Sequence, residues 1–484
     1  MQLKLVDKLK AEALDALIIG VTENQEVIEN SELNLSLLKE KQLFEGKTGE
    51  SFTATVLKEG SIHHLILLGL GSEESFNLTK VIKTLATLIK DQKKKKVATI
   101  GIDFSMLSKV TEAGNKLQRQ LFSGIAMCDY EFNDYKTDAK PSTLETIEIL
   151  NNSYNTQAFE EAVLLGETNV FSRMLTNMPA NIMTPEKLAD LAVSYAEGSQ
   201  LEIEIKEQNE IEALGMKSYL AVAKGSSNPP KLIVMRHKGD PDSDKVFGFV
   251  GKGLTYDSGG LSIKPTASMV NMKDDMGGAS AVIAAMGAIS KLGLKVNVVG
   301  VVAACENMIS GISYKPGDII ESMGGKTIYI GNTDAEGRLT LIDAVTYVQK
   351  IEGATHVVDI ATLTGAAIHC LGSEAAPVVT NNEDFYFAVE KAFEKANEKI
   401  WMMPVFDEYK ELVKHDQADL TNTAGSPGTI TAGLFIGEFA KDIPWVHIDI
   451  AGTAFKEKAE GIYSKGGTGS GAIPLVYLAK KMSK

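Results

Sequence analysis

The chain has 484 residues, with 49 Lys and Arg against 63 Asp and Glu and a formal charge of −14. At roughly 100–200 residues per domain this length predicts two or three domains, and 44% hydrophobic with 23% charged residues argues against a mostly disordered chain. The acidic balance argues against nucleic acid or an anionic membrane surface as a partner, because phosphates recruit clustered Lys and Arg.

From the N-terminus, Asp7, Lys8, Lys10 and Glu12 interrupt the apolar stretch, so it lacks the unbroken core of a signal peptide. Short apolar runs ending in Gly lie at 13–20 and 64–69, a helix is predicted within 78–89, and a further strand at 97–103 follows the lysines 93–96. Together these predict a small α/β domain over residues 1–160. The lysine run reads as a solvated helix end, where cations complement the helix dipole. Cys128, Cys305 and Cys370 are too few and too scattered for a disulfide framework, and no C-x-x-C pair occurs. The longest uncharged apolar runs, 298–305 and 281–286, fall short of the ~18 residues of a membrane span. A reducing, cytoplasmic location is therefore expected.

Residues 159–175 predict a long helix ending at Asn177-Met178-Pro179-Ala180-Asn181, and a linking helix is assigned to 161–180. A second α/β domain is expected over 181–484. It opens on Thr184 as N-cap with Pro185 in the first helical position. Strands follow at 246–250, 296–304, 327–330, 355–360 and 446–450, with helices at 279–291 and 338–350. Such alternation predicts a mixed, mainly parallel sheet covered by helices, with ligands bound at the carboxyl ends of its strands.

Three segments place acidic groups at those ends. The first runs Gly251-Lys252-Gly253-Leu254-Thr255-Tyr256-Asp257-Ser258-Gly259-Gly260-Leu261-Ser262-Ile263-Lys264, the second Lys273-Asp274-Asp275-Met276-Gly277-Gly278, the third Asn332-Thr333-Asp334-Ala335-Glu336-Gly337-Arg338-Leu339. None of the seven histidines falls in them, so an oxygen-rich site for hard or borderline dications is the chemistry they offer. Taken singly, Asp257 reads as a turn residue, Asp274-Asp275 and Asn332-Thr333-Asp334 as helix caps, and Arg338 as a surface ion pair to Asp343 or Asp334. Their joint occurrence within about 90 residues favours one site.

The third segment resembles the signature octapeptide of the leucyl aminopeptidase family, peptidase family M17. The segments 251–264, 275–278, Cys305-Glu306-Asn307-Met308 and Ala361-Thr362-Leu363-Thr364-Gly365 match in order and spacing. The resemblance is strong over about 170–484 and loose before that. It implies two divalent metal ions per subunit, Zn or Mn, and a water activated between them that attacks the N-terminal peptide bond. Lys252, Asp257, Asp275 and Glu336 would bind the tighter metal, with Lys252 as a neutral amine. Asp257, Asp334 and Glu336 would bind the exchangeable one. Lys264 and Arg338 would be catalytic, Lys264 toward the oxyanion and Arg338 as holder of a bicarbonate acting as general base. Met272, Thr362, Gly365, Ala451 and the position of Ala454 would form the pocket for the first side chain. Many relatives carry a larger apolar residue where Ala454 stands, and Phe455 could close that gap. The implied activity is release of Leu-like first residues from peptides by a homohexamer. A Cys-Gly dipeptidase and an inactive structural or regulatory oligomer stand as alternatives, and a two-metal phosphatase ranks below them.

Overall fold

The computed structural model describes residues 1–28, 33–58, 61–112 and 114–483. The chain divides into two units, Met1–Glu167 with Lys458–Lys465 and Thr168–Glu457 with Gly466–Lys484. The division falls inside one helix, Thr156–Asn177. The segment Lys458–Lys465, which its place in the sequence puts in the second domain, belongs to the first unit. There Lys83 Nζ pairs with Glu460 at 2.8 Å, and Lys90 donates to the carbonyls of Gly461 (2.6 Å) and Tyr463 (3.1 Å).

The first unit contains β1 (Gln2–Val6), β2 (Ala16–Thr22), β3 (Ser51–Lys58), β4 (Ser61–Gly71), β5 (Thr99–Asp103) and β6 (Thr146–Leu150), in the sheet order β1-β6-β5-β2-β4-β3. All neighbours are parallel except β3 and β4. The predicted runs 13–20, 64–69 and 97–103 are β2, β4 and β5. The predicted helix extends to Leu78–Lys94 and is capped by Asn77, whose side chain accepts from Lys80 N. The lysine run at its end is only partly solvated, because Lys93 lies half-buried against the Asp129 carboxylate at 3.1 Å.

The second unit contains β7 (Glu202–Lys206), β8 (Lys231–Lys238), β9 (Val246–Asp257), β10 (Asn297–Asn307), β11 (Ile319–Glu321), β12 (Thr327–Tyr329), β13 (His356–Ala361), β14 (Ala376–Thr380), β15 (Ile400–Met402), β16 (Leu420–Thr421) and β17 (Trp445–Asp449). Eight of them form one sheet, ordered β15-β14-β17-β13-β9-β10-β8-β7, and β11, β12 and β16 form a small second one. The centre, β17-β13-β9-β10, is parallel, so four carboxyl ends share one edge. The flanks β8, β7 and β14 run antiparallel to their inner neighbours.

β9 is longer than the expected strand 246–250, because pairing to β10 continues to Asp257. Its glycines serve close approach. A Cβ on Gly251 would lie 2.6 Å from Gly278 O, under the helix Gly277–Lys291. That helix buries every residue from Gly277 to Ser290, so it is a core helix rather than an amphipathic one. Gly278 is packed tighter than Gly251: an added Cβ would stand 2.0 Å from Ile360 O of β13. Gly278→Ala is therefore expected to destabilise the chain by about 3 kcal/mol through overpacking against backbone, read as a lower Tm in thermal unfolding.

Candidate active site and metal centre

The parallel edge gathers the acidic segments. β9 carries Lys252 and Asp257, Asp275 precedes the helix Gly277–Lys291, and Asp334 and Glu336 precede the helix Gly337–Lys350. Lys252 is buried. Its Nζ lies 2.6 Å from Asp275 Oδ1 and 3.0 Å from Glu336 Oε1, and donates to Thr362 O at 2.9 Å. Its path runs directly over Gly337, where a Cβ would meet Lys252 Cε at 2.4 Å. Lys264 Nζ bridges Asp257 Oδ2 at 2.9 Å and Asp334 Oδ1 at 2.5 Å. Asp257, Asp334 and Glu336 each offer a carboxylate oxygen within 4.8 Å of the others.

A second set of groups orients these carboxylates. Asp257 Oδ1 accepts from Gly259 N and from Asn307 Nδ2, both at 2.8 Å. Asn307 Nδ2 also donates to Thr333 O at 2.9 Å, and Thr333 Oγ1 donates to Gly259 O at 2.7 Å. Gly259 adopts φ +84°, and a Cβ there would lie 2.8 Å from Asp334 Oδ1. Thr362 Oγ1 donates to Asp275 Oδ1 at 2.9 Å. Asn307 and Thr333 lie inside the motifs quoted from the sequence, but nothing in their spacing marked them as the struts of Asp257 and Asp334.

The electrostatics follow from burial and crowding. Burial, with Glu336 beside it, raises the Asp257 carboxyl above its usual range, and burial also raises Asp275 and Asp334. Burial works to lower the Lys252 and Lys264 ammonium groups, but the surrounding carboxylates outweigh it and hold both above the ordinary lysine value. If all are ionised, four carboxylates against two ammonium groups carry an excess of two negative charges. Asp275 Oδ2 and Glu336 Oε2 are buried oxygens without a hydrogen-bond partner. An all-oxygen set with unpaired lone pairs and excess negative charge fits divalent cations.

Arg338 lies apart from this cluster. Burial lowers its guanidinium to about 10, against the pull of Glu336 and Asp449, so it remains a cation at neutral pH. Nη1 donates to Asn422 O at 2.8 Å, and the buried Nε has no partner. The alternative of a surface ion pair does not form. Asp343 accepts instead from the backbone of Tyr219 (2.9 Å) and Met323 (2.8 Å), and no ion pair joins Arg338 to Asp334 or Asp343 among the described residues.

A cavity of about 270 Å³ is lined by Lys264, Asp334 and Arg338, and by Asn332, Leu363, Thr364, Gly365, Thr423, Gly428 and Thr431. Of the residues expected to receive the first side chain, Gly365 lines this cavity, whereas Met272, Thr362 and Ala451 do not. Thr362 and Ala454 come together elsewhere, at Gly277: a Cβ there would find them at 3.2 and 3.3 Å. Met272 lies on the short turn Met272–Asp274, and Ala451 follows β17.

Comparison with known proteins points to one family. Residues 170–476 match the cytosol aminopeptidase family, catalytic domain, and residues 18–139 match the same family's N-terminal domain. A protein of Clostridium perfringens (strain 13 / Type A) named "Probable cytosol aminopeptidase" is 46% identical over 491 residues, covering 99% of each chain. One of the same name from Alkaliphilus oremlandii (strain OhILAs) is 42% identical over 494 residues, again covering 99% of each. Among solved structures, "Bottromycin maturation enzyme BotP in complex with Mn" superposes with a TM-score of 0.86 at 28% identity, covering 97% of this chain and 100% of that one.

The position of Lys252 between Asp275 and Glu336 generates a test. Lys252→Ala is expected to weaken the binding of a divalent cation, with Mn as the probe, at least about tenfold, as read by calorimetric titration. Unchanged Mn affinity would remove Lys252 from the candidate ligand set.

Proposed function

The chain belongs to the cytosol aminopeptidase family, and on that premise we propose that it is a metal-dependent aminopeptidase releasing Leu-like first residues from peptides. The observation that carries the reading is the buried convergence of Asp257, Asp334 and Glu336 beside two lysines. In this reading Lys252, Asp257, Asp275 and Glu336 hold one divalent ion, and Asp257, Asp334 and Glu336 hold the second. The Mn of the BotP complex supports Mn as one candidate, with Zn as the other. When bound, such ions supply Lewis acidity, which polarises the scissile carbonyl and acidifies water.

The chain's own residues do the rest. Lys264, held as an ammonium by Asp257 and Asp334 and facing the cavity, donates to the oxygen on which negative charge develops. Arg338 offers a buried, unpaired Nε–H to an anion, and a bicarbonate held there supplies a base active near neutral pH. Leu363, Thr364 and Gly365 wall the cavity and would hold the peptide there.

Three further parts belong to the proposal: a homohexamer, from family likeness, and a cytoplasmic location and no nucleic-acid or membrane partner, from composition and charge. No helix among the described residues is long and apolar enough to cross a membrane.

The decisive measurement is turnover of leucine amide and of its N-acetylated form by Mn-loaded and chelator-stripped protein. Activity is expected only with metal and only on the free amine. Lys264→Ala should retain both metals and lose about 10²–10³-fold in kcat. Parent-rate turnover by that variant would remove the oxyanion role, and phosphomonoester hydrolysis without peptidase activity would remove the whole reading.

A further inference from the structure

We infer that Asp449 is a positioning residue that sets the shape of the pocket receiving the substrate's first side chain, an inference resting on the aminopeptidase reading above. Asp449 is the last residue of β17, on the same sheet edge as the acidic cluster, and is fully buried. Among the described residues it has no cationic partner within ion-pair distance. Its charge is met instead by donors from two loops. Oδ1 accepts from Leu363 N (3.1 Å), Thr364 N (3.4 Å) and Ala451 N (3.2 Å), and Oδ2 accepts from Thr364 Oγ1 at 2.6 Å. A buried carboxylate is tolerated when its oxygens are met in this way, and here all four donors come from the loops that follow β13 and β17.

Those loops reach the site at both ends. Thr362 binds Lys252 through its carbonyl and Asp275 through its hydroxyl, while Leu363, Thr364 and Gly365 wall the cavity. Thr364 Oγ1 also meets Thr429 Oγ1 at 3.0 Å, on the helix Gly428–Gly437 that contributes Gly428 and Thr431 to the same cavity. One carboxylate thereby fixes the spacing between the metal-site loop, the cavity wall and Ala451.

Asp449 is itself held in place from behind. His447 Nδ1 donates to Asp359 Oδ1 at 2.5 Å, and Trp445 Nε1 donates to Asp359 Oδ2 at 2.6 Å. These bonds lock β17 to β13 two and four residues before Asp449. The strand cannot shift along its neighbour, so the carboxylate's position relative to Thr362 is set by the sheet. Discrimination between first residues depends on a pocket of fixed size, and a 1 Å displacement of such a wall is costly.

The test uses the full-length, Mn-loaded protein and a panel of Leu, Met, Phe, Ala and Gly amides. Asp449→Ala is expected to keep its Mn content while the ratio of kcat/KM between the best and worst amide collapses by about tenfold, with KM rising more than kcat falls. Asp449→Asn retains the acceptor for the backbone donors and can donate to Thr364 Oγ1, so it should hold that ratio within about twofold. Thr364→Val, which removes the Oδ2 link, the contact to Thr429 and the cap that Oγ1 gives Ala367 N at 3.1 Å, should narrow the ratio by about threefold, and it carries the test if Asp449→Ala does not fold.

An unchanged ratio in soluble Asp449→Ala or in Thr364→Val overturns the inference. So does an Asn variant as damaged as the Ala variant, because the effect would then belong to charge and not to placement. A parent protein inert toward every amide overturns the aminopeptidase reading together with this one. A parent active on the panel, with variants of unaltered selectivity, overturns this inference alone.

Discussion

Everything at the sheet edge follows from the repulsion among four carboxylates drawn into a space with little water. Two unit charges about 4 Å apart repel by roughly 4 kcal/mol at the effective dielectric of a protein. The three pairs formed by Asp257, Asp334 and Glu336 alone would rival the roughly 5–15 kcal/mol that stabilise a typical domain. Such a cluster persists only if positive charge is built in with it. Lys252 and Lys264 supply part, each gripping two of the carboxylates. The unpaired oxygens on Asp275 and Glu336 show that the compensation stops short. In the proposed reading, metal-assisted peptide hydrolysis uses that shortfall, because the groups that repel one another would be those that hold the metal.

The fold makes this crowding affordable by making it rigid. Four parallel strands end together, and the glycines along β9 and at the starts of two helices bring backbones closer than side chains would allow. Gly278 against Ile360, Gly337 beneath Lys252 and Gly259 beside Asp334 each occupy a place where a Cβ would collide. The core of the second unit, with the buried helix Gly277–Lys291 across the sheet, holds these approaches in place. A looser framework would let the carboxylates separate.

Uncharged groups then refine what the charges began. Asn307 ties Asp257 to the backbone at Thr333, and Thr362 ties Asp275 to the loop after β13. Asp449 continues the pattern one layer further out, using a charge with no metal of its own to brace two loops. Arg338 is treated in the opposite way: it is buried with one donor left open, which keeps it available to an anion.

Much of this was legible in the chain alone. Local chemistry marks the strands, the cap at Thr184 and the acidic motifs, because alternation, capping and turn residues act over a few neighbours. The octapeptide Asn332–Leu339 and the run from Gly251 to Lys264 carried the family resemblance for the same reason. What the sequence could not decide is which neighbours meet across long separations. Dense glycine along a chain is compatible with tight turns and with close backbone approach, and only the helix lying over β9 shows that approach is what these glycines serve. The attachment of Lys458–Lys465 to the first unit and the braces at Asn307 and Asp449 are contacts between segments tens to hundreds of residues apart. Residue type determines what a side chain can bind. Its partner is decided by the register of the central sheet, which is a property of the packed whole.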